Sequence, residues 1–381
     1  MHCGVMVTGY NQGDWERLMT DDYSRPPTVS DAANMDDTLH MGELVEPLGF
    51  DSIWATEHYG SAYSMQPNPL QYLSYWAGRT SRVDMGTAVI VAPWWNPVRL
   101  AHEISMLDIL LKGRRLHLGI GRGIAPHEYA SLGYPIEQSH TYFYDVVNAI
   151  RAADGAERFT FDGQVYKIPP TTIRPQARHK GELTTRMKAA FTTKESARLA
   201  AENGLGQMFV SGANLDEMTE QVRQFNAIRA DLGLPPDQPT TLLWMYCAET
   251  AAEAEEGWAY FHNQLRAAQH HYFEWNNPGF EGIHGYEEYL QRQAADIGVA
   301  DASFEARRAT QPIGTPDEII EKIKALQKAI SLEMLVVHVF YGGMPREKAE
   351  KSMRLFADKV LPEVQAMPTP INPASLGRAV S

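Results

Sequence analysis

The sequence has few cysteines and no long hydrophobic run. Cys3 and Cys247 are the only two cysteines among 381 residues, which excludes a disulfide framework and any C-x-x-C metal or redox centre. The most apolar window, residues 85–95, is far shorter than the roughly 20 residues of a membrane-spanning helix. The first residues lack the basic and apolar regions of a secretory signal. We therefore expect a soluble, cytoplasmic protein without a membrane segment.

Positive charge is also in short supply. Lys and Arg number 34 against 47 Asp and Glu, which gives a formal net charge of −13. Like charges repel, so nucleic acid and anionic membrane surfaces are not expected as partners. The 44% hydrophobic content is ordinary for a globular protein with a substantial core.

Several catalytic motifs are absent or incomplete. There is no G-x-x-x-x-G-K-[ST] loop for phosphoryl transfer and no G-x-S-x-G nucleophile elbow. His102 and Glu103 lack the second histidine of a zinc H-E-x-x-H motif. The run from Gly119 to Gly123 is followed by Ile124, where a dinucleotide fingerprint requires glycine. The remaining histidines are scattered along the chain, so no metal site is expected.

Short β-rich runs alternate with stretches of helical periodicity, a pattern typical of βαβ units and a parallel sheet. Eight such pairs predict an α/β fold of the (β/α)8 TIM-barrel type; a doubly wound sheet is the alternative. The predicted strands are residues 4–9, 51–55, 83–90, 115–120, 187–191, 207–210, 241–248 and 333–340. We assign residues 1–367 to a single barrel domain.

Three segments exceed a minimal barrel. Residues 10–34 form a long polar loop, and residues 155–186 contain a β-hairpin, with strands 159–161 and 164–166 around an Asp-Gly turn. Residues 270–311 form a third, aromatic insertion. Loops of this length in a compact domain are usually functional, so residues 10–34 and 270–311 are interpreted as rim lids. The tail, residues 368–381, is predicted to be disordered.

Two stretches are candidates for an anion site. Arg122, beside Gly121 at the end of the fourth predicted strand, can grip a phosphate because guanidinium matches phosphate oxygens in a bidentate way. A surface pair between Arg122 and Glu128 is an equally good interpretation. Residues 192–196, TTKES, open the fifth helix, where free amides and hydroxyls favour anions. A simple helix cap is the commoner case.

His58 ends the second predicted strand, next to Glu57. The carboxyl ends of barrel strands carry the catalytic residues in this architecture, and an imidazole suits proton transfer at neutral pH. A purely structural histidine is the alternative. Trp94 and Trp95 follow the third strand, where they can line an apolar pocket or serve as core or interface packing.

An ordered set of short matches resembles the bacterial luciferase-like flavin-dependent monooxygenases over roughly residues 37–367. The matches include LGFDSIW at 48–54, EHY at 57–59, GTAV at 86–89, NPVRLA at 96–101, GIGRG at 119–123, HEYASLG at 127–133, residues 196–204 and GTPDE at 314–318. Each piece is weak alone, but their order along the chain is specific.

This resemblance implies a TIM-barrel oxidoreductase that receives reduced FMN from a separate NAD(P)H:flavin oxidoreductase. Family members react the flavin with O2 to a C4a-peroxyflavin, which oxygenates a small organic molecule. The resemblance further implies a small apolar or aromatic substrate and a homodimer, with a heterodimer as the alternative. Two other functions stay open on the same fold: F420-dependent hydride transfer, and a non-catalytic flavin-binding accessory subunit.

Carried over residue by residue, the resemblance places Arg122 on the family's phosphate-binding arginine. Gly121 adjoins it, and Thr192, Thr193 and Ser196 fall on positions that contact the cofactor phosphate.

His58 matches the catalytic histidine of the luciferase active subunit, with Glu57 beside it. Tyr59 replaces a second histidine, Gly121 a reactive cysteine and Thr192 a glutamate of luciferase. The tyrosine and glycine departures place light emission in doubt, while oxygenation is still expected.

Overall fold

Eight parallel strands close into a barrel in this computed structural model, which describes residues 1–191, 193–210, 214–274, 280–283, 286 and 304–376. The predicted (β/α)8 class is confirmed. Around the barrel the strands follow the order β1, β12, β9, β8, β7, β4, β3, β2. Their bounds are β1 His2–Met6, β2 Ser52–Ala55, β3 Asp84–Val91, β4 Leu116–Gly121, β7 Lys188–Ala190, β8 Gly206–Phe209, β9 Thr240–Trp244 and β12 Met334–His338.

Helices surround the barrel and begin at residues suited to helix starts. Asn96, Thr193 and Thr250 cap three of them with side-chain oxygens that accept amide protons of the first turn. The helices are α1 Trp15–Met19, α2 Asp31–Glu43, α3 Pro69–Arg79, α4 Pro97–Leu110, α5 Pro126–Leu132, α6 Ser139–Ala153, α7 Lys194–Glu202, α8 Leu215–Asp231, α9 Ala251–Gln269, α10 Pro316–Ile330, α11 Arg346–Lys359 and α12 Leu361–Ala366. Within the described ranges, none is both long and apolar enough to cross a membrane.

The lower half of the barrel interior is filled by Trp54. A Cβ added at Gly4 would lie 2.6 Å from the Trp54 Nε1, and one at Gly86 would lie 2.5 Å from its Cε2. Met6, Met208 and other buried apolar side chains pack with Trp54 in the same interior cluster. This packed floor leaves the carboxyl ends of the strands as the open face of the barrel.

Two predicted strands differ from the observed ones. The predicted strand 241–248 divides, because after β9 the chain leaves the barrel and β10, Tyr246–Cys247, pairs with β11, Ile313–Gly314. The predicted hairpin is present, as β5, Phe159–Asp162, and β6, Lys167–Thr171. Its second strand begins later than residue 164, because the buried Asp145 carboxylate accepts the amide protons of residues 164, 165 and 166 and holds them in the turn.

The prediction for the carboxyl-terminal tail is wrong for residues 368–376. The Ser375 side chain is fully buried, and its Oγ lies 2.8 Å from the Ser331 Oγ. The Ser375 carbonyl accepts a hydrogen bond from Asn226 at 2.9 Å. Residues 377–381 lie outside the described part of the chain.

The two predicted rim loops fare differently. Residues 10–34 contain a 3-10 turn, Gln12–Asp14, then α1 and the first turn of α2, so this segment is less irregular than expected. Of residues 270–311, those at 275–279, 284–285 and 287–303 lie outside the described residues. The lid interpretation of both segments stays a prediction.

Glu46, which follows α2, hydrogen-bonds the backbone just before β3. This contact predicts how the stability of the protein depends on acid pH. The Glu46 carboxylate accepts the amide protons of Ser81, Arg82 and Val83 at 2.7 to 3.1 Å. Burial raises its pKa, but these hydrogen bonds outweigh burial and lower the pKa from 4.5 to about 2. A carboxyl group whose pKa is lower in the folded protein than in the unfolded chain stabilises the fold. This stability is fully present above the unfolded pKa and is lost as the pH falls toward the folded pKa.

We expect Glu46→Gln to lower the free energy of unfolding at neutral pH by about 1 kcal/mol, after allowance for solvent screening. The loss shrinks as the pH approaches 2, where wild type is protonated too. Urea unfolding across this pH range measures both effects. Glu43→Gln, on the exposed side of α2, is the matched control, and a loss that does not change with pH would contradict the assignment.

Candidate active site

A cavity of about 590 Å³ opens at the carboxyl ends of the barrel strands. This is a size typical of small-molecule and cofactor sites. Six of the predicted site residues line it: Glu57, His58, Gly121, Arg122, Thr193 and Ser196. Thr192, the seventh, lies outside the described residues. The structure therefore brings the predicted phosphate-binding residues and the predicted catalytic pair into one cavity, while their chemical roles stay predictions.

The end of β4 supplies one wall of this cavity. A Cβ at Gly121 would lie 2.5 Å from the Val89 Cγ2, so the Val89 side chain packs directly against this glycine and leaves no room for a larger residue. The Arg122 guanidinium carbon lies 4.2 Å from the centre of the Tyr286 ring. The Tyr286 hydroxyl donates to the Gly123 carbonyl at 2.7 Å. These contacts hold the Arg122 side chain and the backbone that follows it.

The start of α7 continues the same wall. Thr193 Oγ1 accepts the amide proton of Ser196 at 3.1 Å and donates to its Oγ at 2.9 Å, so the simple helix cap is present. Because β4 and β7 are paired neighbours, Arg122 and this helix start converge from adjacent strands. We call Gly121, Arg122, Thr193 and Ser196 the anion cradle, since guanidinium, hydroxyls and a helix N-terminus all favour negative charge.

His58 is held by a buried carboxylate. Its Nδ1 lies 3.1 Å from the Glu128 Oε1, which also accepts the amide proton of Tyr59 at 2.7 Å. The Glu128 side chain is 1% exposed. Burial raises the pKa of Glu128, but attraction to His58 and His271 and their hydrogen bonds outweigh burial and lower it well below the ordinary range. The sequence left open a pair between Glu128 and Arg122; the described ion pairs of Glu128 run to the two histidines.

A second histidine approaches the same carboxylate. The His271 Nε2 lies 3.6 Å from the Glu128 Oε2, and its Nδ1 lies 2.8 Å from the Ser61 Oγ. Burial lowers the pKa of His271 despite the nearby carboxylate, which keeps the ring neutral at neutral pH. The donor atoms of His58, Glu128 and His271 lie within 4.8 Å of one another. Histidines scattered along the sequence are therefore clustered in space.

Tyr272 completes this group. It belongs to the π-helical segment His270–Glu274, which follows α9, and its hydroxyl lies 3.2 Å from the His58 Nε2. Sequence reasoning did not single out Glu128, His271 or Tyr272 as site residues. The two aromatic residues fall in the predicted rim insertion, where no periodic signal marks individual positions.

Glu57 connects the ends of two strands. The oxygens of its buried carboxyl group accept the Val91 amide proton at 2.7 Å, the Trp95 Nε1 proton at 2.9 Å and the Tyr59 hydroxyl proton at 3.3 Å. Burial raises the pKa of Glu57 to about 8, against the opposing hydrogen bonds from Trp95, Val91 and Tyr59. The carboxylate that bonds His58 is Glu128, so the contacts of Glu57 indicate a positioning role.

The opposite wall is aromatic. β12 lies across the barrel from β4, and its last residue, His338, stacks on Trp244 with ring centres 3.8 Å apart. The Tyr10 hydroxyl lies 3.3 Å from the His338 Nδ1. Burial lowers the pKa of His338 to about 3, so this wall is neutral. Trp94 also lines the cavity, in agreement with the pocket interpretation of that residue.

A parallel α/β barrel with a cavity at the carboxyl ends of its strands is a common architecture among enzymes that act on small molecules. A model of the luciferase-like monooxygenase family matches residues 18–332. The chain belongs to this family, and its members are oxidoreductases that act with incorporation of oxygen.

Two relatives extend over most of the chain. The oxygenase component of flavin-dependent trigonelline monooxygenase from Acinetobacter baylyi is 24% identical over 332 residues, 86% of this chain and 89% of that protein. The alkanal monooxygenase alpha chain of Photobacterium leiognathi is 25% identical over 355 residues, 90% and 96% of the two chains.

Two solved structures share the fold. The oxygenating constituent of 3,6-diketocamphane monooxygenase from Pseudomonas putida, in complex with FMN, has a TM-score of 0.71 at 20% identity and covers 97% of this chain and 99% of that one. An F420-dependent secondary alcohol dehydrogenase with an F420–acetone adduct has a TM-score of 0.65 at 15% identity, with 95% and 98% covered.

The raised pKa of Glu57 predicts a stability that falls with increasing pH. In the folded protein the Glu57 carboxyl group keeps its proton up to about pH 8, whereas in the unfolded chain it loses the proton above its ordinary pKa of 4.5. The free energy of unfolding therefore declines as the pH rises from 4.5 to about 8. Glu57→Gln removes this titration. We expect the variant to gain more than about 1 kcal/mol relative to wild type across this range, since one pKa unit corresponds to about 1.4 kcal/mol.

Chemical unfolding at several pH values measures this difference. Glu103→Gln, which removes the carboxylate that pairs with Arg99 on the surface of α4, is the control. A constant difference between Glu57→Gln and wild type would show that Glu57 is ionised throughout.

Proposed function

We propose that this chain is the oxygenase component of a two-component flavin monooxygenase. It receives reduced FMN from a separate NAD(P)H:flavin oxidoreductase and uses O2 to oxygenate a small apolar or aromatic substrate. The observation that carries the proposal is the single cavity that joins the anion cradle to His58 and Glu128. The family membership and the trigonelline monooxygenase relative support it.

The residues present fit FMN. Arg122, Thr193, Ser196 and the first amides of α7 would hold the phosphate, and the neighbouring part of the cofactor would lie in the cavity that these residues line. When bound, reduced FMN supplies the electrons that activate O2 for transfer of one oxygen atom to the substrate.

The protein contributes shape, dryness and proton control. Aromatic and apolar side chains on the wall of β9 and β12 exclude water from the reacting groups. The Glu128 carboxylate accepts a hydrogen bond from Nδ1 of His58 and so orients the ring. Nε2 is then the nitrogen that can accept a proton. Glu57 holds the ends of β2 and β3 together beneath this histidine.

Loss of the arginine in the anion cradle tests the phosphate assignment. We expect Arg122→Ala to weaken binding of reduced FMN by about 10- to 100-fold, because a charge-assisted contact of about 1.5–3 kcal/mol is removed. Reduced riboflavin lacks the phosphate and should bind both proteins alike. Anaerobic titration followed by protein fluorescence measures the two affinities. Arg99→Ala, on the exposed face of α4, is the control, and equal losses for FMN and riboflavin would contradict the assignment.

Hydride transfer with F420 is the second candidate, favoured by the fold shared with an F420-dependent alcohol dehydrogenase. A deazaflavin does not activate O2 usefully, so oxygen separates the two functions. We expect the protein to bind reduced FMN anaerobically and, on mixing with O2, to reoxidise it much more slowly than free FMN, because a closed site restricts water.

Stopped-flow absorbance after anaerobic loading records this rate. Reoxidation as fast as that of free FMN would favour the accessory flavin-binding function. Failure to bind reduced FMN, together with tight binding of F420, would favour hydride transfer.

A further inference from the structure

Both ring nitrogens of His58 have partners in the structure. Nδ1 faces the Glu128 carboxylate at 3.1 Å and Nε2 faces the Tyr272 hydroxyl at 3.2 Å. The His58 side chain is 14% exposed, and the Tyr272 side chain lines the cavity beside it. The Tyr272 hydroxyl therefore occupies the position next to Nε2 that a ligand in the cavity would need in order to hydrogen-bond His58 directly.

The direction of these hydrogen bonds follows from charge. Glu128 is ionised and can only accept, so Nδ1 of His58 donates its proton to Glu128. With the proton on Nδ1, Nε2 is the nitrogen that faces the Tyr272 hydroxyl and accepts its proton. The three side chains, all of which line the cavity, form a chain of hydrogen bonds from Tyr272 through His58 to Glu128.

We propose that Tyr272 is the residue that exchanges a proton with the ligand in the cavity, with His58 as its base and Glu128 as the group that orients the base. This inference rests on the proposed function, which supplies a reaction that needs a proton moved. It assigns the outermost catalytic position to the segment after α9, and His58 to the second position.

The proposed step moves one proton from the ligand to Tyr272 and one from Tyr272 to His58. The Tyr272 O–H bond breaks as an Nε2–H bond forms on His58, and the Tyr272 oxygen takes a proton from an O–H or N–H group of the ligand. The ligand keeps the electron pair of that bond, Tyr272 is unchanged, and the imidazolium is neutralised by Glu128. The reverse sequence returns the proton. Burial raises the pKa of Tyr272 well above its ordinary value, so the two proton shifts occur together and tyrosinate does not accumulate.

The other titratable groups around this chain are neutral at neutral pH. The Tyr63 ring lies 5.4 Å from the Tyr272 ring, and its side chain is a second hydrogen-bond partner of Tyr272. Burial raises the pKa of Tyr63 to about 12. The His271 ring lies 5.1 Å from that of His58, and burial lowers its pKa. Glu57 keeps its proton at neutral pH. Glu128 thus supplies the negative charge that stabilises a protonated His58.

The first experiment uses the protein without flavin. Long-range ¹H–¹⁵N spectra of ¹⁵N-histidine protein, with His58 identified by its loss in His58→Gln, report which nitrogen carries the proton. We expect Nδ1–H with a hydrogen-bonded Nε2 in wild type, and the same tautomer with a downfield-shifted, unbonded Nε2 in Tyr272→Phe. An Nε2–H tautomer in wild type, or an Nε2 signal unchanged in Tyr272→Phe, would overturn the relay.

The second experiment measures H2O2 release from enzyme-bound reduced FMN after mixing with O2. We expect Tyr272→Phe to slow this step about 100-fold and to leave the affinity for reduced FMN unchanged. His58→Gln should slow it equally, and the double variant no further, since members of one relay are not additive. Tyr341→Phe, which removes a buried hydroxyl bonded to the Met245 carbonyl, is the matched control.

Each remaining outcome decides the question. Additive effects of the two substitutions, or an unchanged rate in Tyr272→Phe, would overturn the relay. A weakened affinity for reduced FMN with an unchanged rate would show that Tyr272 only fastens its segment to the cavity. If wild type does not bind reduced FMN, the proposed function fails, and the histidine spectra still report on the hydrogen-bond chain.

Discussion

The site depends on one buried negative charge. A carboxylate removed from water is costly unless several donors satisfy it. Glu128 accepts hydrogen bonds from the loop after β2, which carries His58 and the Tyr59 amide, and the His271 ring of the segment after α9 lies 3.6 Å away. Compensation of this charge therefore draws α5, the end of β2 and the π-helical segment to one point. The orientation of His58 is a by-product of that compensation.

The barrel gives this point a floor and an opposite wall. Trp54 and its apolar neighbours close the interior from below, so ligands enter from the carboxyl ends of the strands. Across the mouth, the stacked rings of His338 and Trp244 face the end of β4. Glu128 and the anion cradle bring charge to this cavity, and Glu217, Arg266 and Arg307 also line it.

The sequence was informative wherever a residue's place on a strand or helix determines its place in space. His58, Arg122 and Thr193 stand at strand ends or a helix start, and the carboxyl ends of parallel strands must converge. Contacts between distant segments could not be predicted: Glu128 meets His58 across 70 residues, and Tyr272 meets it across 214. No periodicity carries such pairings. The later start of the second hairpin strand also arises from a contact between distant segments, because Asp145 on α6 binds the amides of the hairpin turn.

The tryptophan in the barrel floor has a consequence for how this fold can vary. Gly4 on β1, Trp54 on β2 and Gly86 on β3 share one volume, because an added methyl group at either glycine would overlap the indole. None of the three positions can enlarge alone. Substitution of the indole by a smaller side chain would leave a void that a larger residue at Gly86 could fill. A side chain at Gly4 would also need a change at Ser52, whose Oγ would lie 2.3 Å from the added Cβ. In sequences that keep this barrel these four positions should therefore covary as a set.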